Sequence, residues 1–161
     1  MINRLVAHRG DMKTYPENSL FALQKSAELG FLYIELDIQL SKDLVPIVIH
    51  DESAKRTTEI GKNVNDLEAK ELQTMVLLSS FEPNHKSRLL NIAMLKDAIE
   101  LLSSYSRINL FVEVKKESIE HFGVEVVMDR VIKDVENAKL NIIIISFVDK
   151  VIEYVKKLRS F

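Results

Sequence analysis

The stretch Phe31-Leu32-Tyr33-Ile34-Glu35-Leu36-Asp37-Ile38-Gln39-Leu40 alternates apolar and polar residues with a period of two. Leu32, Ile34, Leu36, Ile38 and Leu40 fall on one face, and Tyr33, Glu35, Asp37 and Gln39 on the other, which is the period of a β-strand. The aliphatic face suits a strand that lies beneath helices. The other face carries two carboxylates two residues apart, so both side chains point the same way. Carboxylates held side by side repel unless a cation or a proton stands between them. An antiparallel sheet with one wet face shows the same alternation, so the flanking segments decide between the two.

Towards the N-terminus, Leu5-Val6-Ala7 predicts a short buried strand ending at Gly10, followed by a polar loop from Asp11 to Pro16. Asn18 is expected to cap a helix, with Glu17 near its positive end. The apolar stripe of that helix is Leu20, Phe21, Leu23, Ala27 and Leu29, and Gly30 is placed to end it. Towards the C-terminus, a turn at Ser41-Lys42-Asp43 leads to a strand from Pro46 to His50. A mixed polar stretch from Asp51 to Arg88 follows, with one helical patch over Val64 to Met75. Helical spacing resumes from Ile92 to Leu102. A second alternating strand runs from Asn109 to Lys115, and a helix is expected over Val124 to Val135. Four consecutive isoleucines between Asn141 and Phe147 predict a strand buried on both faces. A last helix covers Val151 to Leu158. Strands alternating with helices predict a parallel α/β architecture.

The composition narrows the function classes. The chain has 161 residues, of which 47% are hydrophobic and 29% charged, as in an ordinary single globular domain. A net charge of −2 provides no broad basic field, so no nucleic-acid partner is expected. Cysteine is absent, which excludes a disulfide scaffold, thiolate metal ligands and a cysteine nucleophile. No apolar run approaches the roughly 20 residues a transmembrane helix needs. The N-terminus has no signal-peptide pattern either, so the cytoplasm is the expected compartment.

Polar groups gather at the C-terminal ends of the predicted strands: His8 and Arg9, Glu35 and Asp37, His50 and Asp51, Glu113 and Lys115, and Ser146. In a parallel α/β barrel that end carries the active site. Three carboxylates, Glu35, Asp37 and Glu113, would converge there. Oxygen ligands without cysteine suit a hard divalent cation such as Mg²⁺ or Ca²⁺. His8 and His50 are suited to general acid and base work near neutral pH. Arg9 can clamp a phosphate with its planar fork, and Lys115 adds positive charge.

Taken in order, these residues resemble the glycerophosphodiester phosphodiesterase family. The resemblance runs through Ala7-His8-Arg9-Gly10, Pro16-Glu17-Asn18-Ser19, Glu28-Leu29-Gly30, Ile34-Glu35-Leu36-Asp37 and Ser41-Lys42-Asp43. It continues through Pro46-Ile47-Val48-Ile49-His50-Asp51, Arg56-Thr57-Thr58, Gly61, Val112-Glu113-Val114-Lys115 and Ser146-Phe147. It implies a TIM-type (β/α)₈ barrel that hydrolyses glycerophosphodiesters to an alcohol and glycerol 3-phosphate. It further implies a divalent metal on Glu35, Asp37 and Glu113, His8 and His50 as acid and base, and Arg9 and Lys115 at the substrate phosphate. The stretch from residue 51 to 90 corresponds to a small family insertion over the barrel mouth.

The sequence departs from the family in places. Leu44 stands where the family often has Gly, and Asn91-Ile92-Ala93 replaces a usual Pro-Thr-Leu. About five β/α units are predicted, whereas a closed barrel has eight strands. Residues 1–161 are thus expected to form the N-terminal part of such a domain, with open sheet edges available for self-association. Two other readings share these residues: a related lipid phosphodiesterase, and an inactive truncated barrel acting as a binding module.

Overall fold

The computed structural model describes residues 4–78 and 88–158. Six strands form one sheet: β1 (Val6–His8), β2 (Tyr33–Leu40), β3 (Pro46–Val48), β4 (Ala93–Met94), β5 (Asn109–Val114) and β6 (Asn141–Ile145). The helices are α1 (Leu20–Glu28), α2 (Lys55–Thr58), α3 (Ala69–Leu72), α4 (Leu95–Ser103), α5 (Lys116–Phe122), α6 (Val124–Val135) and α7 (Asp149–Leu158).

The alternating stretch is the spine of the sheet. β2 pairs in parallel with β1 on one side and β5 on the other, and β6 adds in parallel to β5. The aliphatic face of β2 (Ile34, Leu36, Ile38 and Leu40) joins Leu110, Val112 and Val114 of β5 in the main core. Leu23 of α1, Leu95, Ala98 and Leu102 of α4, and Val127, Met128 and Val131 of α6 pack onto it. All four apolar β2 side chains are fully buried. Each such burial contributes about 1.5–3 kcal/mol, which holds the strand in register. A one-residue slip would turn the carboxylates into the helix layer.

The α/β barrel class is as expected, but one strand runs the other way. The segment read as a strand over Pro46–His50 pairs antiparallel with β2, and β4 pairs antiparallel with it. Only residues 41–45 separate β2 from β3, and a parallel connection needs about a dozen or more. The Ser41 hydroxyl stabilises the turn by accepting from the Val45 N–H at 3.0 Å and donating to Asp43 at 2.7 Å. Leu44 adopts a positive φ of 61° in this turn. That conformation favours glycine, the residue the family often carries there.

Four further differences have local causes. Ser19, not Asn18, caps α1, accepting from the Ala22 N–H at 3.0 Å. Asn18 is buried and turned towards β2 instead. The helical spacing from Ile92 is interrupted by β4, so α4 begins at Leu95. A helix that the sequence reading left out, α5, follows β5 directly. Finally, β6 is only half-buried, because among the described residues it pairs on one side alone.

Between β2 and α4 the chain builds a second, smaller core. Ile47, Ile49, Val64, Leu67, Leu72 and Ile92 are among its buried members. It is anchored to the main sheet at the turn, where Asp43 accepts from the Ala69 N–H at 2.8 Å at the start of α3.

Candidate active site

The sheet register brings the charged residues of β1, β2 and β5 to one end. His8 lies opposite Glu35, and Asp37 lies opposite Glu113. Oxygens of Glu35, Asp37 and Glu113 all come within 4.8 Å of one another. The three carboxylates are buried among few compensating groups. Lys115 Nζ lies 2.8 Å from Glu113 Oε1 and 3.4 Å from Asp37 Oδ1. Arg9 Nε lies 2.9 Å from Asp37 Oδ2.

The loop after β1 is shaped to present Arg9. Arg9 takes a positive φ of 55°, and its backbone N–H donates to Glu35 Oε2 at 2.9 Å. Gly10 follows with φ of 80°, and a Cβ there would lie 2.6 Å from the Ala22 carbonyl carbon. Only glycine allows the loop to approach α1 this closely. Asn18, with φ of 59°, closes the loop from the other end. Its amide nitrogen donates to Asp37 Oδ2 at 3.0 Å, and its carbonyl accepts from the Asp37 N–H at 3.2 Å.

Charge balance in this cluster is incomplete. Three carboxylates face two cations, Arg9 and Lys115, which leaves one negative charge over. Burial, followed by the neighbouring Asp37 charge, pushes the Glu35 carboxyl up to about 7. Glu35 Oε1 is buried and has no hydrogen-bond partner among the described residues. Burial works against the Lys115 ammonium, yet the Glu113 hydrogen bond and the Asp37 and Glu113 charges outweigh it and raise its pKa. A protonated Glu35 would balance the site, and a bound divalent cation would more than offset the excess charge. An orphaned oxygen beside two further carboxylates fits the oxygen-only shell of a hard divalent ion.

The two histidines flank this cluster. His8 Nε2 lies 3.9 Å from Glu35 Oε2, with its side chain 55% exposed. His50 follows the edge of β3, where the Ile49 N–H donates to the Asp37 carbonyl at 3.0 Å. The His50 carbonyl accepts from Gln39 Nε2 at 3.1 Å, and Gln39 is held by the Ser118 hydroxyl at 3.0 Å. His50 Nδ1 meets Asp51 Oδ1 at 2.7 Å. All seven residues singled out in the sequence therefore gather at one end of the sheet. Ser146 follows β6 at the same end of the sheet, where its hydroxyl donates to the Val114 carbonyl at 2.8 Å.

Four neighbours were given no catalytic, metal or phosphate role by the sequence reading: Glu17, Asn18, Asp51 and Arg56. Arg56 contacts both Glu17 and Asp51, and Glu17 also meets Arg9 Nη1 at 3.1 Å. The adjacency of Asp51 to His50 was a usable signal. The pairing of Glu17 with Arg56, 39 positions apart, was not.

The model of the Glycerophosphoryl diester phosphodiesterase family matches residues 8–160. A glycerophosphodiester phosphodiesterase of Caldanaerobacter subterraneus is 33% identical over 154 residues, covering 96% of this chain and 62% of its own length. One from Bacillus altitudinis is 34% identical over 144 residues, covering 81% of this chain and 57% of its own. An Oleispira antarctica phosphodiesterase, solved in complex with the product sn-glycerol-3-phosphate, superposes with a TM-score of 0.81 at 26% identity. That match covers 95% of this chain and 61% of the other. A Thermotoga maritima glycerophosphodiester phosphodiesterase gives a TM-score of 0.73 at 28% identity, covering 94% and 57%. The chain thus spans about three fifths of the length of these relatives. Among the described residues, no helix is long and apolar enough to cross a membrane.

Proposed function

The chain belongs to the glycerophosphoryl diester phosphodiesterase family, and on that premise we propose that it carries the site for metal-dependent hydrolysis of glycerophosphodiesters to an alcohol and glycerol 3-phosphate. The observation that carries this reading is the convergence of Glu35, Asp37 and Glu113 within 4.8 Å, with Arg9 and Lys115 against them. The product bound by the Oleispira relative supports the substrate class.

Glu35, Asp37 and Glu113 would hold one divalent cation, Mg²⁺ or Ca²⁺. When bound, it supplies Lewis-acid neutralisation of charge on the phosphate oxygens. Its two charges would turn the uncompensated negative charge of the cluster into one positive charge, matched to a phosphodiester monoanion. Arg9 and Lys115 bind the phosphate and stabilise charge that develops on it. His8 takes a proton from the attacking hydroxyl, either water directly or the neighbouring glycerol hydroxyl, in which case the cyclic phosphate formed is then opened by water to give glycerol 3-phosphate. His50 donates one to the leaving alcohol oxygen as the P–O bond breaks. Asp51 on Nδ1 leaves Nε2 of His50 as its working nitrogen. The described parts of this stretch, residues 51–78 and 88–90, would cover the mouth and shape the pocket around the alcohol.

The edges of the sheet support a second feature. Among the described residues β1 and β6 each pair on one side only, and Val6 (49%) and Phe147 (89%) are strongly exposed. Such edges suit pairing with further strands, including those of a second copy.

The test is release of glycerol 3-phosphate from glycerophosphoethanolamine with Mg²⁺ or Ca²⁺, against a chelator control and His8→Ala. Turnover abolished by both controls supports the reading. No turnover from folded protein, or turnover indifferent to chelation, refutes it.

A further inference from the structure

We infer that Arg56 is a positioning residue that braces Asp51 against the β1–α1 loop and so fixes the ring of His50. The inference rests on the reading of His50 as an acid.

One guanidinium grips two carboxylates here. Arg56 Nε and Nη2 donate to Asp51 at 2.6 and 3.0 Å, and Nη1 and Nη2 donate to Glu17 at 2.9 and 2.7 Å. Asp51 in turn meets His50 Nδ1 at 2.7 Å. Glu17 Oε1 also accepts from Arg9 Nη1 at 3.1 Å. Arg56 sits in α2 within the excursion between β2 and α4, whereas Glu17 belongs to the loop after β1. The guanidinium is therefore a bridge between two parts of the chain that carry the two ends of the site. Both carboxylates are held ionised below their usual range, Glu17 and Asp51 each chiefly by the hydrogen bonds from Arg56.

Stability alone does not account for such a bridge. The Arg56 side chain is 50% exposed, and exposed ion pairs contribute little to folding. What the bidentate grip supplies is direction. With both Asp51 oxygens engaged, Oδ1 has one orientation to offer His50, which selects the tautomer with the proton on Nδ1. Lysine has a single point-like ammonium and cannot hold both carboxylates in plane.

The test measures kcat and KM for glycerophosphoethanolamine with Mg²⁺ in the parent protein, Arg56→Gln, Arg56→Lys, His50→Ala and the His50→Ala/Arg56→Gln pair. Melting temperatures and the ¹⁵N shifts of the His50 ring are followed alongside. Arg56→Gln and Arg56→Lys are each expected to lower kcat about thirtyfold, as loss of an orienting partner does, with the melting temperature held. In the His50→Ala background, Arg56→Gln adds less than about threefold, because the ring it orients is gone. An unchanged kcat in Arg56→Gln, or the same loss with and without His50, overturns the inference. If the parent shows no turnover, the phosphodiesterase reading fails separately, and the ring shifts judge this one. Loss of the Nδ1–H tautomer in Arg56→Gln upholds it, and an unchanged tautomer overturns it.

Discussion

Asp37 and Glu113 lie directly opposite each other on neighbouring parallel strands, with the Lys115 ammonium 3.4 Å from one and 2.8 Å from the other. Like charges opposed across a sheet are destabilising. Here they are retained at the end of the sheet where a cation can be shared between them.

Divalent-ion binding should depend on that pair. Calorimetric titration with Mg²⁺ or Ca²⁺ is expected to show one site in the parent protein. Glu113→Gln keeps an acceptor for Lys115 but loses the charge, and should weaken the ion by more than about a hundredfold. Unaltered affinity would remove Glu113 from the ligand set.

The metal-free protein should lose stability as pH rises. Glu35 is raised from 4.5 to about 7, so between those values the folded state holds a proton that the unfolded state has released. Stability is then fully present below about 4.5 and declines as pH rises through about 7. Melting curves in chelator across this window should show the decline, and saturating Mg²⁺ should flatten it. A metal-free melting temperature that climbs over the same range, once other groups are controlled with Glu35→Gln, would contradict the assignment.

Asn18 should matter more than its place in a loop suggests. Its amide satisfies both the Asp37 N–H and Oδ2 in a buried setting, and asparagine tolerates the positive φ it adopts. Asn18→Ala leaves the buried Asp37 N–H without its partner, leaves Oδ2 with Arg9 alone, and adds backbone strain. Urea denaturation should show a loss of about 2–3 kcal/mol, with Ser19→Ala, a simple cap loss, nearer about 1 kcal/mol. Equal losses for the two would mean that Asn18 acts only as helix punctuation.

Much of this site can be read in one dimension. The alternation from Phe31 to Leu40 set which face of β2 packs beneath the helices and therefore that Glu35 and Asp37 point together on the other, because side-chain direction along a strand depends only on parity. The same parity rule placed Glu113 with Lys115, and short strands ending in His8-Arg9 and His50-Asp51 marked the end of the sheet. Short-range patterns were misleading where tertiary contacts outbid them. Asn18 has the chemistry of a helix cap, but a buried Asp37 competes for its amide, so Ser19 caps α1 instead. The direction of β3 follows from the length of the turn before it, which the alternation does not report. The links that join residues far apart in sequence, Asn18 to Asp37 and Glu17 through Arg56 to Asp51, belong to the folded chain alone. Each depends on where two loops meet in space, and no spacing in the sequence encodes a distance between loops.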